Sequence, residues 1–381
     1  MWGGISLNAY KINFKILIPI LLLSIISILT IYSALTYTSS SLGNLALKQA
    51  IWYGVGWILV LVLLHYKNNY LYSISWYLYV VGIILLVLLL FFGTPINNSR
   101  CWFTIPGIGS FQPSEFMKIF IMLVLADMIH RFHNQYSNPT ASQEFLFLLK
   151  TFLVVLVPSL LTFLQPDTGA VLIYFIIYVS MMFISGVRLR WFLGAGVLFI
   201  AILLGIGWLY FYQENMFIQL FGSSIYYRLE RVFNWSQGSG LQLENAMAAI
   251  GSAGWFGHGY NQTPIYFPES STDFIFAVYA SNFGFIGVII LIGIILFLDI
   301  QIILLARRKI QDTDQYIIAG ILGMLLFQQI QNIGMTVGLL PITGITLPFV
   351  SYGGSSLLSY MLLVGILLNI SIQKKRTYSY H

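Results

Sequence analysis

The sequence predicts an all-α polytopic membrane protein with about ten transmembrane helices, both termini cytoplasmic, and one long extracytoplasmic loop between the seventh and eighth helices. Three observations predict it. Of the 381 residues, 58% are hydrophobic and only 8% are charged, whereas ordinary globular chains carry about a quarter Asp, Glu, Lys and Arg. Most of the exterior must therefore face lipid. Apolar runs of about 18 or more residues, each able to cross a hydrocarbon core of roughly 30 Å as a helix, recur along the chain. Finally, one orientation satisfies the tendency of Lys and Arg to stay on the cytoplasmic side of short loops.

The first run, 14–35, is longer than a signal-peptide core and no convincing small-residue cleavage site follows it, so it is a retained helix. Runs at 49–65 and 75–93 come next, with Lys67 between them. The fourth, 113–130, opens at Pro113 or Ser114, both suited to a helix start. The tight turn Gln165-Pro166-Asp167-Thr168-Gly169 separates 148–165 from 169–187, and 191–212 is the seventh. After the long loop come 273–298, 315–337 and 349–372. An inside N-terminus places Lys11, Lys15, Lys67, Arg131, Lys150, Arg188, Arg190, Arg307, Arg308, Lys309, Lys374, Lys375 and Arg376 in the cytoplasm and leaves Lys48, Arg100, Arg228 and Arg231 outside. Lys118 falls within a span.

The whole chain, 1–381, is one membrane domain with no fixed-period repeat. The net charge of +6 is accounted for by this topology and by contact with anionic lipid, so no nucleic-acid partner is indicated. Cys101 is the only cysteine, which excludes an intrachain disulfide and a multi-cysteine metal site. Lying outside by this topology, it should react with a membrane-impermeant thiol reagent. The loop from about 213 to 272 is too long for a plain connection. Its Trp235, Trp255, Tyr260 and Tyr266, and the apolar run Ala246 to Ile250, suggest short helices at the membrane interface.

Acidic residues sharpen the functional reading, because charge at membrane depth is costly and marks function. Asp167, Glu214, Glu230, Glu244, Glu269 and Asp273 fall at or beyond the outer boundary, and Glu115 enters the fourth helix from the same side. Glu115 and Lys118, three apart on one helical face, can offset each other's desolvation, either as a structural ion pair or as part of a site. Asp167 could bind a cation or a substrate group, or only cap the next helix. Arg228 and Arg231 suit phosphate, though lipid headgroup anchoring explains them equally well. Asp273, at the start of the eighth helix, could serve as a general base; local sequence alone favours capping, by Thr272 or Asp273. Gln328, Gln331 and Asn332 share one face of the ninth helix and read as interhelical glue. The Gly- and Pro-punctuated stretch from Gly334 to Ser356 implies irregular backbone lining a cavity. The five histidines, at 65, 130, 133, 258 and 381, show no metal-ligand spacing on the outer face, and the absence of a Gly-Lys-Ser/Thr phosphate loop argues against direct use of ATP.

Gln112-Pro113-Ser114-Glu115 with Lys118, Gln165-Pro166-Asp167, Ala249-Ile250-Gly251-Ser252, Thr272-Asp273-Phe274-Ile275-Phe276 and Leu340-Pro341-Ile342-Thr343-Gly344 through Ser356 stand in order along the chain. Together they resemble the shape, elongation, division and sporulation family, with its RodA branch a close match, over nearly the whole chain. The resemblance implies a peptidoglycan glycosyltransferase of the bacterial cytoplasmic membrane, its active site on the extracytoplasmic face, polymerising lipid II during elongation. It makes Asp273 the catalytic base, taking the proton of the acceptor GlcNAc 4-hydroxyl as that oxygen attacks MurNAc C1 and undecaprenyl pyrophosphate leaves. Arg100, Trp102, Glu115, Lys118, Asp167, Arg228, Arg231, Ser351 and Ser355 become candidates for contacting substrate or pyrophosphate.

A divalent cation, Mg2+ or Mn2+, is implied as cofactor, and the implied partners are the undecaprenyl-pyrophosphate-linked glycan, a class B penicillin-binding protein acting as transpeptidase, and the elongation machinery. The sequence departs from the family pattern at Asn98-Ser99 for Gly-Ala, Asn245 for Gln, His258 for Lys, Ser271 for His and Ser281 for Glu. A lipid II flippase, a wall-synthesis scaffold and a division-branch, FtsW-like paralogue are the competing readings.

Overall fold

The computed structural model describes residues 13–34, 45–66, 68–96, 99–105, 109–223, 225–227, 230, 240–308 and 311–372. In chain order the helices are α1 (Phe14–Ala34), α2 (Leu45–Tyr66), α3 (Asn68–Ser73), α4 (Ser75–Phe92), α5 (Pro113–Gln135), α6 (Ala141–Leu164), α7 (Thr168–Ile184), α8 (Leu189–Tyr212), α9 (Glu214–Phe221), α10 (Gly240–Gly251), α11 (Ile275–Ala306), α12 (Asp312–Thr336) and α13 (Gly354–Ile372). Among the described residues, eight are long and apolar enough to cross a membrane. The fourth and sixth expected spans correspond to α5 and to α7, which has only 17 residues. α5 packs against α4, α6, α7, α12 and α13. A helix enclosed by other helices can carry charge that a lipid-facing one cannot, and so reads as less apolar. α8 is the opposite case: apolar all round, it buries none of its residues.

Two boundaries move for backbone reasons. The eighth expected span runs on to Ala306 and is broken at Gly284, whose φ of 61° and ψ of −162° lie outside helical values. There the amides of His258 and Gly259 bond the carbonyls of Ser281 and Asn282, and a Cβ at Gly284 would lie 2.3 Å from the Gly257 nitrogen. The last helix starts at Gly354 rather than near 349, because residues 341–353 are irregular and Phe349 has φ 63°. The long loop contains the short helices α9 and α10; Trp235 lies outside the described residues.

The all-α expectation missed one element. β1 (Thr94–Ile96), β2 (Ser99–Ile105) and β3 (Gly109–Phe111) form an antiparallel sheet in the order β1-β2-β3, with Thr94 opposite Trp102 and Phe103 opposite Phe111. Strands this short give no usable periodicity, although Asn97-Asn98 and Pro106-Gly107 are turn dipeptides flanking a β-branched and aromatic run.

The sheet also corrects the expectation for Cys101. It is only 2% exposed, and its thiol donates to the Gln165 carbonyl over 2.9 Å. Burial, followed by the charge of Asp167, pushes the thiol up to about 12, so little thiolate exists near neutral pH. A membrane-impermeant maleimide should leave the native protein unlabelled in both intact and permeabilised cells and modify it only after denaturation, as mass spectrometry would show.

Candidate functional site

Asp273 lies in a turn, not in the helix it precedes. The amides of Thr272 and Phe274 bond the carbonyl of Glu269, which holds a left-handed φ of 55°. α11 is capped by Phe274 with no side-chain cap bond, so Asp273 is not the N-cap that local sequence favoured. Its carboxylate is half-buried. Burial first, and the neighbouring charge of Glu269 second, push the carboxyl up to about 7.

The wall facing this carboxylate is the irregular segment 341–353. Ser351 donates to the Thr272 carbonyl over 2.7 Å and accepts from the Leu347 amide over 2.8 Å, while the Tyr352 amide bonds the Ser271 carbonyl over 2.9 Å. The Tyr53 hydroxyl donates to the Phe349 carbonyl. Gly344 has φ 70°, and a Cβ there would come within 3.6 Å of Asp273 Oδ2. Backbone thus comes close to the carboxylate with no side chain between.

A second group occupies the starts of α5 and α7. Asp167 caps α7, accepting from the Ala170 amide over 3.0 Å, and its other oxygen accepts from Gln112 Nε2 at 2.9 Å and Ser114 Oγ at 3.2 Å. It therefore both caps a helix and binds two helix-start side chains across the bundle. Burial raises its carboxyl, opposed by the Ala170 amide. Lys118 and Glu115 pair at 2.7 Å, with side chains 1% and 12% exposed. Ser359 donates to the same Glu115 oxygen over 3.3 Å, and Lys118 Nζ stands 5.6 Å from the Tyr360 ring centre. Gly169 joins the two groups: a Cβ on it would meet the Thr343 carbonyl at 3.1 Å and Ile345 at 3.0 Å. Segment 341–353 therefore has Asp273 on one side and the start of α7 on the other.

Other candidates are spread out. Ser355 accepts from the Gln112 amide and donates to the Ser110 carbonyl, so it ties α13 to α5 and β3. Arg100 is exposed on β2, with Trp102 partly buried two residues on; no described contact joins either to Asp273. Arg228 and Arg231 lie outside the described residues. Two of the departures from the family pattern meet each other, with His258 Nδ1 3.1 Å from the Ser281 carbonyl and 3.2 Å from its hydroxyl. Sequence reasoning gave no role to Glu269 as the charge beside Asp273, to Tyr360 under Lys118, or to Tyr53 as a clamp on Phe349. Those pairings join distant parts of the chain, and no local spacing announces them.

Among the described residues no group of three or more His, Cys, Asp or Glu side chains could hold a metal ion.

Residues 14–376 match the family FtsW/RodA/SpoVE, described as cell cycle protein. A curated relative, the probable peptidoglycan glycosyltransferase FtsW of Coxiella burnetii, is 37% identical over 78% of each chain. The rod shape determining protein RodA of Thermus thermophilus, a crystal structure, superposes with a TM-score of 0.69 at 25% identity over 97% of this chain and 99% of that one. A chain from a structure titled for the coordination of polymerization and crosslinking by a peptidoglycan synthase complex gives a TM-score of 0.76 at 24% identity, covering 94% and 97%.

Proposed function

The chain belongs to the FtsW/RodA/SpoVE family, and on that premise we propose that it is a peptidoglycan glycosyltransferase that polymerises lipid II, with Asp273 as general base. The observation that carries this reading is a half-buried carboxylate, outside the helix it precedes and raised to about 7. A general base works best when its pKa lies near the operating pH. In the proposed step Asp273 takes the proton of the acceptor 4-hydroxyl while that oxygen forms the bond to C1 of the donor sugar. The donor C1–oxygen bond breaks, and undecaprenyl pyrophosphate leaves with the electron pair. Arg100, with Arg228 and Arg231, would balance the charge growing on the departing pyrophosphate.

Orientation follows from charge. Arg131 lies near the C-terminal end of α5, Arg188 and Arg190 at the α7–α8 junction and Arg307 and Arg308 just past α11, whose opposite end follows Asp273, and basic residues favour the cytoplasmic side. The site then opens outward, where lipid-linked substrate, a class B penicillin-binding protein and the growing wall would be reached. The relation to a chain of a peptidoglycan synthase complex supports such a partner. Purified in detergent with that partner, the protein should convert lipid II into glycan strands without a sealed compartment. A flippase or scaffold could not, so absence of strands would reject the enzyme reading.

We assign the elongation branch, on the form of Leu340 through Gly344. Identity to an FtsW-named relative favours division instead. Depletion in the native cell decides by microscopy: rounded cells are expected, and filaments with unfinished septa would transfer the protein to division.

A further inference from the structure

We infer that Asn332 is a positioning residue, whose single side-chain amide fixes the gap between the Asp273 carboxylate and the backbone wall at Gly344. The inference rests on the reading of Asp273 as general base. Asn332 lies in the last turns of α12 and is 0% exposed. Its Nδ2 donates to the Asp273 carbonyl and to the Ile345 carbonyl, each over 2.8 Å. One side chain thereby holds the backbone of the carboxylate-bearing residue and that of the residue following Gly344.

Both acceptors need this donor. The first bonds of α11 run from Ala277 and Val278 to the Phe274 carbonyl, leaving the Asp273 carbonyl just outside the helical ladder. Buried backbone carbonyls find partners, and here a side chain supplies one. Ile345 belongs to the irregular segment, where no strand or helix sets its position. The amide orientation is fixed by the same geometry, because turning it over would set its oxygen against two carbonyl oxygens. Asn332 Oδ1 is buried without a hydrogen-bond partner. The two donated bonds therefore account for an amide at this position, and neither reaches helical backbone, as interhelical glue would. Gln331, one residue earlier, donates to the Pro341 carbonyl over 2.8 Å and anchors the start of the same segment. Ser351 and Tyr352 hold its other end to Thr272 and Ser271. The acceptor hydroxyl must reach Asp273 beside this wall, so the spacing that Asn332 sets is the spacing in which the proton moves.

Asn332→Leu keeps the volume and removes both donors; Asn332→Ser keeps one short donor that cannot span two carbonyls. With lipid II and the transpeptidase partner, each should lower kcat by about tenfold or more at little change in KM, since misplacing a reacting group by an ångström can cost 10²-fold. A loosened turn also lets water reach Asp273. Glu269 is the charged group beside it; on the segments packed against it Asn332, Gly344 and Ser351 do not titrate, and Tyr352, raised by burial above the ordinary phenol range, stays neutral on the acid side. The acid limb of the rate profile should therefore move to lower pH, which loss of packing elsewhere would not cause. Thermal unfolding checks that each variant is folded; if the Leu variant is not, the Ser variant is the one read. A folded variant with normal kcat and an unmoved acid limb would reduce Asn332 to structural glue. Asp273→Asn, assayed alongside, separates the two ideas: if it is inactive while the Asn332 variants are normal, only the positioning inference falls, and if it is active, the base assignment falls as well.

Discussion

Asp273→Asn is expected to lose at least about 10² of the polymerisation rate, the low end of what a general base contributes, while the protein stays folded and bound to its partner. The substitution suits the site because the Asp273 carboxylate caps nothing: the N-cap is Phe274, and the Asp273 carbonyl, which Asn332 holds, is unchanged. The fall in rate is thus a loss of basicity rather than of structure. The pH dependence carries a sign. Burial and Glu269 raise the Asp273 carboxyl to about 7, so the base is ionised above that value and protonated below it, and activity should decline as pH falls through about 7. Glu269→Gln removes the neighbouring negative charge and should shift that limb to lower pH. A folded Asp273→Asn protein making strands at the normal rate would end the assignment.

Which parts of this architecture could be read in advance depends on how locally each is encoded. Runs such as 75–93 and 191–212 declare themselves, because a lipid-facing helix must be apolar on every side, and α8 buries none of its residues. The α7 turn was legible as well: Asp before Thr-Gly is a helix start, and Asp167 caps there. The same rule failed at Asp273. Glu269 enters a left-handed turn that carries the next residues past the capping position. The clamp on segment 341–353 was hidden more deeply, since Asn332 looks like any interhelical amide until folding brings Asp273 and Ile345 to its two hydrogens. Cys101 misled for a related reason. Topology places it beyond the helices, but the sheet presses it against Gln165.

Lys118→Met should be among the most destabilising single changes in the bundle, costing about 3–5 kcal/mol because it leaves a largely buried carboxylate without its counter-ion. Glu115 and Lys118 meet at 2.7 Å, Lys118 shut away from water and Glu115 largely so, and among the described residues the other side-chain bond to Glu115 is a 3.3 Å one from Ser359. The neutral hydroxyl cannot replace an ammonium. The double change Glu115→Leu with Lys118→Met removes both charges together. Because an apolar pair avoids the desolvation penalty, it should recover most of the lost stability. Thermal unfolding of the three purified proteins in one detergent decides this, and equal destabilisation in the single and double variants would reject the pairing. Polymerisation by the double variant then separates structure from chemistry. Asp167 responds to the charges of both Glu115 and Lys118, in opposite directions, so removing the pair takes away two opposed influences together. A stable double variant that still makes strands at the normal rate would make the pair a packing device, whereas a stable but inactive one would place Lys118 or Glu115 in contact with substrate.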